Sequence, residues 1–360
     1  MNISRVITLA IVCIAWFACG DTHAQEISFA TSPAMQVTTP IPQRVATGND
    51  FDGDGMSEIL WYNPVTSQVR YWNMVEDASH LMHQGAVHTF GVTPGYFVGA
   101  TGDFNHDGFT DLLLTSAARD LVLWTNDRQG NFTSSSLGTY PAGWVLVGGG
   151  DVDGDGTDDL LWYNADGCQF GWWLIQDGVR VGSRTVSVTC GYKPLSIGYY
   201  NLSNRISIIW TGPGHDLWAW DSNGAGFVAS ALTTLTATPY VFGGGHQGAS
   251  MSMIQGNGTP SYLERSFSIG NRQTSLTVSG AGGGYAQAGI TAAGFMTINR
   301  GIDRTGVMYL HGATGLEVCP PDDQNVTSPQ PTAAPPNSCM VFPYENGWFV
   351  VGAASATGMP

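Results

Sequence analysis

Asp151-Val152-Asp153-Gly154-Asp155-Gly156-Thr157-Asp158-Asp159 is the stretch on which the reading of this chain turns. Oxygen-bearing side chains stand at positions 1, 3, 5 and 9 and a glycine at position 6. A hard cation with six or more oxygen ligands asks for that pattern in a short loop, and calcium is its natural occupant. Two earlier stretches repeat it: Asp50-Phe51-Asp52-Gly53-Asp54-Gly55-Met56-Ser57-Glu58 and Asp103-Phe104-Asn105-His106-Asp107-Gly108-Phe109-Thr110-Asp111. Each runs straight into an apolar strand, from Ile59, Leu112 or Leu160, and not into a helix. That argues against an EF-hand, whose loop has about twelve positions between two helices.

The loops begin 53 and then 48 residues apart, a repeat of propeller-blade length. A Gly-rich strand opened by an aromatic residue keeps the same beat, starting at Tyr96, Trp144, Tyr192, Tyr240 and Trp348. A shift of 48 residues carries Leu160-Leu161-Trp162 onto Ile208-Ile209-Trp210. A fourth unit is therefore in register, although its loop positions have become Tyr199, Asn201, Ser203 and Ser207. The strand survives there without the carboxylates.

These stretches, above all Gly102 to Leu114 and Gly143 to Asn164, resemble the FG-GAP and VCBS-type repeats of integrin α-subunit propellers and of many secreted bacterial proteins. The resemblance covers residues 44 to 232 well and 233 to 360 weakly. It implies a β-propeller with calcium in the loop between the first and second strands of a blade, about three ions in all. Carried over by position, the side-chain ligands are Asp50, Asp52, Asp54 and Glu58; Asp103, Asn105, Asp107 and Asp111; and Asp151, Asp153, Asp155 and Asp159. The main-chain carbonyls of Met56, Phe109 and Thr157 complete the sets.

The expected fold is all-β, one propeller domain over residues 25–360 built from four-stranded blades. Within a unit a Gly-rich strand is followed by the acidic turn, an apolar strand, a hairpin and an aromatic strand. Small residues suit an inner strand near the axis, where backbones approach closely, and Trp and Leu fill the space between blades. First strands are expected near Val45, Val98, Val145, Leu195, Val241 and Ala286, with another at Val350. Seven blades are favoured, the last closed by residues 26 to 42, and six is the alternative.

Residues 1–24 read as a secretory signal, with Arg5, an apolar run from Val6 to Ala18, and small residues before the cut. The run is short for a membrane span, and lipid anchoring at Cys19 is the minor alternative. No later segment is apolar for long enough to cross a bilayer, so the expected destination is the periplasm or the exterior. Four cysteines remain, an even number that suits an oxidising compartment. Three connectivities exist; local pairing, Cys168 with Cys190 and Cys319 with Cys339, is preferred. The second pair would close a Pro-rich insertion at residues 319–339, which is expected to project from a blade edge between a third strand at Val307 to Leu310 and an outer strand near Met340.

A formal charge of −15 with no basic stripe excludes nucleic acid and anionic lipid as partners. The once-per-unit aromatics Tyr96, Trp144, Tyr192, Tyr240, Tyr285 and Trp348 suit stacking on sugar faces, but packing between blades is preferred for rings of this kind. No nucleophile elbow, Walker loop or dinucleotide fingerprint is present, and His80, His83 and His88 lack the spacing of a zinc hydrolase. No catalytic residue is assigned. The expected function is a secreted, calcium-stabilised module that binds an extracellular or periplasmic protein or glycan. The alternative is a polysaccharide lyase or hydrolase with its site on the axial face.

Overall fold

The computed structural model describes residues 49–54, 58–76, 82–198, 205–235, 239–244, 250–255, 260–268, 271–280, 295–299, 305–311, 315–319, 340–342 and 348–353. The signal segment, the strand expected near Val45, and most of the insertion at residues 319–339, Cys339 included, lie outside them.

The described residues hold strands and turns and no helix. The first sheet contains β1 (Ile59–Asn63), β2 (Gln68–Glu76) and β3 (Met82–Gly91). The second is β4 (Tyr96–Gly102), β5 (Asp111–Ser116), β6 (Asp120–Asn126) and β7 (Phe132–Thr139). The third is β8 (Val145–Gly150), β9 (Asp159–Asn164), β10 (Gln169–Gln176) and β11 (Val179–Ser187). β12 (Lys193–Gly198), β13 (Ser207–Thr211), β14 (Asp216–Ser222) and β15 (Phe227–Thr234) form the fourth. The fifth is β16 (Pro239–Gly244), β17 (Ser250–Gln255), β18 (Pro260–Ser268) and β19 (Asn271–Gly280), and the sixth β20 (Phe295–Asn299), β21 (Thr305–His311), β22 (Gly315–Cys319) and β23 (Met340–Phe342). The last strand, β24 (Phe349–Ala353), pairs antiparallel with β1, Ile59 opposite Ala353 and Tyr62 opposite Phe349, and completes the first sheet.

Each sheet is an antiparallel meander, and its first strand lies beside the first strand of the next, from β4 through β8, β12, β16 and β20 to β24. This is the radial arrangement of a β-propeller. Among the described residues the sheets number six. The strand at Val350, expected from the sequence to found a seventh blade, fills the inner place of the first sheet. The reason is register: Phe349 to Ala353 supplies β1 with an antiparallel partner on its open edge, which would otherwise be an unpaired ladder. The sixth sheet also corrects the reading. Its inner strand is Phe295–Asn299, downstream of Ala286, and Val307 to Leu310 belongs to the second strand of that sheet; the third is Gly315–Cys319.

Packing follows the two-residue period of a strand. Leu160 and Trp162 on β9 pack with Ala100, Leu113, Leu121 and Leu123 of the second sheet, whereas Leu161 between them packs with Ile197, Ile208 and Trp210 of the fourth. Phe51, Leu60, Val69 and Tyr71 join Leu112 and Leu114 in the same way between the first and second sheets. The core is thus a series of layers between blades, and the outer strands β7 and β11 are mostly exposed, β15 half so. Crowding at the inner strands is real: a Cβ on Gly149 would lie 3.1 Å from the main-chain oxygen of Thr101 on the neighbouring sheet.

Candidate metal-binding loops

The acidic loops sit where an inner strand hands over to the second strand: before β1, between β4 and β5, and between β8 and β9. In the third loop Asp151 accepts the N–H groups of Gly154 at 2.6 Å and Gly156 at 3.0 Å. Asp153 accepts from Asp155 and Asp155 from Thr157, at 3.2 and 2.8 Å. Asp159 closes the loop, taking N–H groups from Val152 at 3.0 Å and from Ile175 on β10 at 2.9 Å. These bonds pin the carboxylates before any ion arrives. Position 4 is left-handed in all three loops, at Gly53, His106 and Gly154 with φ of 78°, 58° and 88°, as is position 6 at Gly108 and Gly156. The requirement at position 4, masked by the histidine, is one that reading the pattern alone missed.

Asp151, Asp153 and Asp159 offer carboxylate oxygens within 4.8 Å of one another, and so do Asp50, Asp52 and Glu58. Among the described residues such three-carboxylate groups occur in the first and third loops. The position-5 residues Asp54 and Asp155 are exposed and stand outside those groups, and Met56 lies outside the described residues. The second loop repeats the framework, with Asp111 accepting from Phe104 at 3.0 Å and Asn126 at 2.8 Å, and Asp103 from Asp107 and Gly108, both at 3.0 Å. It differs in charge. Asn105 replaces a carboxylate and donates to Asp107 at 3.2 Å, and Arg128 reaches Asp107 at 3.3 Å. Phe109 and Thr157, the expected carbonyl donors, are half-buried and buried in their loops.

Burial raises the position-9 carboxyls most. Asp111 and Asp159 are each pushed up to about 8, first by desolvation, with their loop partners Asp103 and Asp107, or Asp153 and Asp151, adding repulsion. Glu58 is raised well above the ordinary range by complete burial and then by Asp50 and Asp52. Its Oε2 accepts the N–H of Phe51 at 2.6 Å, while Oε1 is buried with no hydrogen-bond partner. A buried, unsatisfied carboxylate oxygen beside two more carboxylates is the environment a cation relieves. The all-oxygen donor set fits calcium better than a softer metal.

The loops are also joints between sheets, which sequence pattern could not show. The N–H at position 8 of one loop donates to the carbonyl at position 1 of the loop before: Thr110 to Asp50 at 2.9 Å, Asp158 to Asp103 at 2.8 Å and Ile206 to Asp151 at 2.7 Å. Position 2 is clasped from the next sheet as well. The carbonyl of Phe51 accepts Asn126 Nδ2 at 2.8 Å, that of Phe104 the N–H of Gly178 at 2.8 Å, and that of Val152 the hydroxyl of Ser222. The fourth unit keeps this joint through Ile206 and Ser222 although Tyr199, Asn201 and Ser203 lie outside the described residues.

A family profile described as the FG-GAP-like repeat matches residues 50–114 and 103–162, the span of all three loops. The chain carries FG-GAP-like repeats. Among solved structures it is similar to AofleA from Arthrobotrys oligospora, at 10% identity and a TM-score of 0.44 over 90% of this chain and 99% of that one. It is similar also to the SapL1 lectin solved with alpha methyl fucoside, at 10% identity and a TM-score of 0.44 over 87% and 98%. A third is the WD40 domain of Toxoplasma gondii coronin, at 13% identity and a TM-score of 0.40 over 68% and 61%. No relative was found among curated protein sequences.

The aromatics that open the units are not exposed where they are described. Trp348 is buried, and Tyr96, Trp144 and Tyr192 are half-buried; the side chain of Tyr240 and all of Tyr285 lie outside the described residues. Tyr96 and Tyr192 donate their hydroxyls to the equivalent aspartates Asp120 and Asp216, and Trp144 lines a cavity. His88 stacks on Tyr71 with ring centres 4.6 Å apart. Cys168 and Cys190 form a disulfide, Cα atoms 4.9 Å apart, next to the bond from the N–H of Val188 to the carbonyl of Cys168.

Proposed function

We propose that this chain is an exported propeller, braced by calcium in its FG-GAP-like loops, that acts as a binding module for a glycan or protein ligand. The observation that supports it is the place of the loops. Their main chains are engaged in the joints between sheets and each offers several oxygen ligands, so the metal acts as a strut and recognition falls to surfaces elsewhere. Asp50, Asp52 and Glu58, the Asp103 loop, and Asp151, Asp153 and Asp159 would hold the ions, the charge of which offsets clustered carboxylates.

Calorimetry on the mature protein with calcium and after chelation tests the strut. At a free concentration about a hundred times the dissociation constant, each site adds about 2.7 kcal/mol. An unchanged melting temperature would reject the metal assignment. A glycan array and a pull-down in calcium test the module, and silence in both would reject it.

A further inference from the structure

Between the second and third sheets lies a cavity of about 300 Å³, at the small end of the range of small-molecule sites. Trp144, Trp162 and Trp173 line it with Arg180, Arg184 and Thr185 of β11, and Arg184 is engaged, donating to the carbonyl of Ala225 at 2.8 Å. Gly171 also lines it, and a Cβ there would lie 2.9 Å from the main-chain oxygen of Arg184, 3.3 Å from the Trp144 ring and 3.4 Å from Thr185 Oγ1. The Trp162 and Trp173 rings are tilted with centres 4.9 Å apart, and the Arg180 guanidinium lies 3.7 Å above the Trp173 ring. A guanidinium held over a ring keeps its N–H donors for a ligand. Among the described residues Arg180 has no carboxylate partner, in a chain with 13 basic and 28 acidic side chains.

The first sheet carries a comparable group without the same freedom. Trp61 and Trp72 are 4.6 Å apart and Arg70 lies 3.9 Å over Trp348, but Arg70 Nε is held by Thr89 Oγ1 at 3.1 Å. The fourth sheet keeps the ring pair, Trp210 and Trp220 with centres 4.9 Å apart, but there Phe227 takes the place of Arg180, its ring centre 6.0 Å from that of Trp220.

We propose that this cavity binds an acidic sugar residue, its C–H face against the half-buried Trp144 ring, its hydroxyls on Thr185 and its carboxylate on Arg180, which the buried pair Trp162 and Trp173 holds in place. The proposal rests on the reading of the chain as a binding module and names the site and the ligand class. Aromatic planes suit the apolar faces of a pyranose, and a fork of donors suits a carboxylate.

The test is a titration of the calcium-loaded mature chain with D-glucuronate and with methyl glucoside, followed by tryptophan fluorescence, on wild type, Arg180→Gln and Thr185→Ala. Glucuronate is expected to perturb the fluorescence and bind at least tenfold more tightly than the neutral sugar. Arg180→Gln should abolish that preference with an unchanged melting temperature, and Thr185→Ala should weaken both sugars. Equal binding of the two sugars, or a preference that survives Arg180→Gln, overturns the proposal. Array ligands whose binding Arg180→Gln leaves unchanged overturn this site while the binding-module reading stands; an empty array and pull-down overturn both.

Discussion

The main-chain N–H of Asp158 donates to the carbonyl of Asp103 at 2.8 Å, and the Asp158 carboxylate accepts the N–H of Asp103 at 2.9 Å. One buried residue of the third loop thus closes a two-way bond with the first residue of the second. At this joint the position-8 carboxylate adds a second bond to the main-chain one that Thr110 and Ile206 also make at theirs.

Asp158→Ala leaves the N–H of Asp103 buried without an acceptor, at a cost of about 1–3 kcal/mol. Asp158→Asn keeps an oxygen in place and should recover most of it. Urea unfolding of the three proteins measures the difference, and equal midpoints would show that the bond contributes nothing.

The calcium-free protein should lose stability as pH rises. Asp111 and Asp159 hold their protons up to about 8 in the folded chain, whereas unfolded aspartates release them near the ordinary value of about 4. Between those limits the folded state binds more protons, so unfolding becomes easier with each step upward. The stabilisation from these two groups is complete below about 4 and lost through about 8. Melting temperatures of dialysed protein across that range should fall, and the gain on adding calcium should grow; a flat profile contradicts the burial of these carboxyls.

Arg128→Gln should tighten calcium at the second loop. The guanidinium beside Asp107 is exposed and competes weakly with an incoming cation, so a gain of about two- to fivefold is expected. Terbium luminescence on a chain with Asp50→Ala and Asp151→Ala isolates that loop. A loss of affinity would mean that Arg128 organises the site.

Removing the Cys168–Cys190 bond by a double alanine substitution should cost about 3 kcal/mol, from the freedom restored to the unfolded chain. Calcium uptake should not change, because the bond ties the β9–β10 turn to the segment after β11, away from Asp151 to Asp159. Thermal melts and a calcium titration of the variant check both statements.

What could be read in the chain was local. Asp, Gly and Asp at fixed offsets announce a loop, and Leu160 to Trp162 repeating at Ile208 to Trp210 announces a strand, because both depend on neighbours in sequence. The order of strands in the second, third and fourth sheets followed directly. The pairing of Ile59 with Ala353 depends on two segments meeting at closure, and the joint between Thr110 and Asp50 is made by main-chain atoms that carry no residue signature. The weaker pattern after Tyr240 misled for a different reason. Gly283 to Gly294 imitates the small residues of an inner strand, while the apolar run that makes the strand, Phe295 to Ile298, comes later. The acidic clusters were legible by position, whereas the cavity beside Trp144 needs two sheets in place before it exists.

Because β24 lies against β1, the ring is fastened by a strand that leaves the ribosome long after its partner. Until then Ile59 to Asn63 presents a bare edge on which a second nascent chain can pair. Folding of this protein is therefore a race between closing on itself and closing on a neighbour, and a chain cut before Phe349 should be recovered as aggregate even with every acidic loop intact.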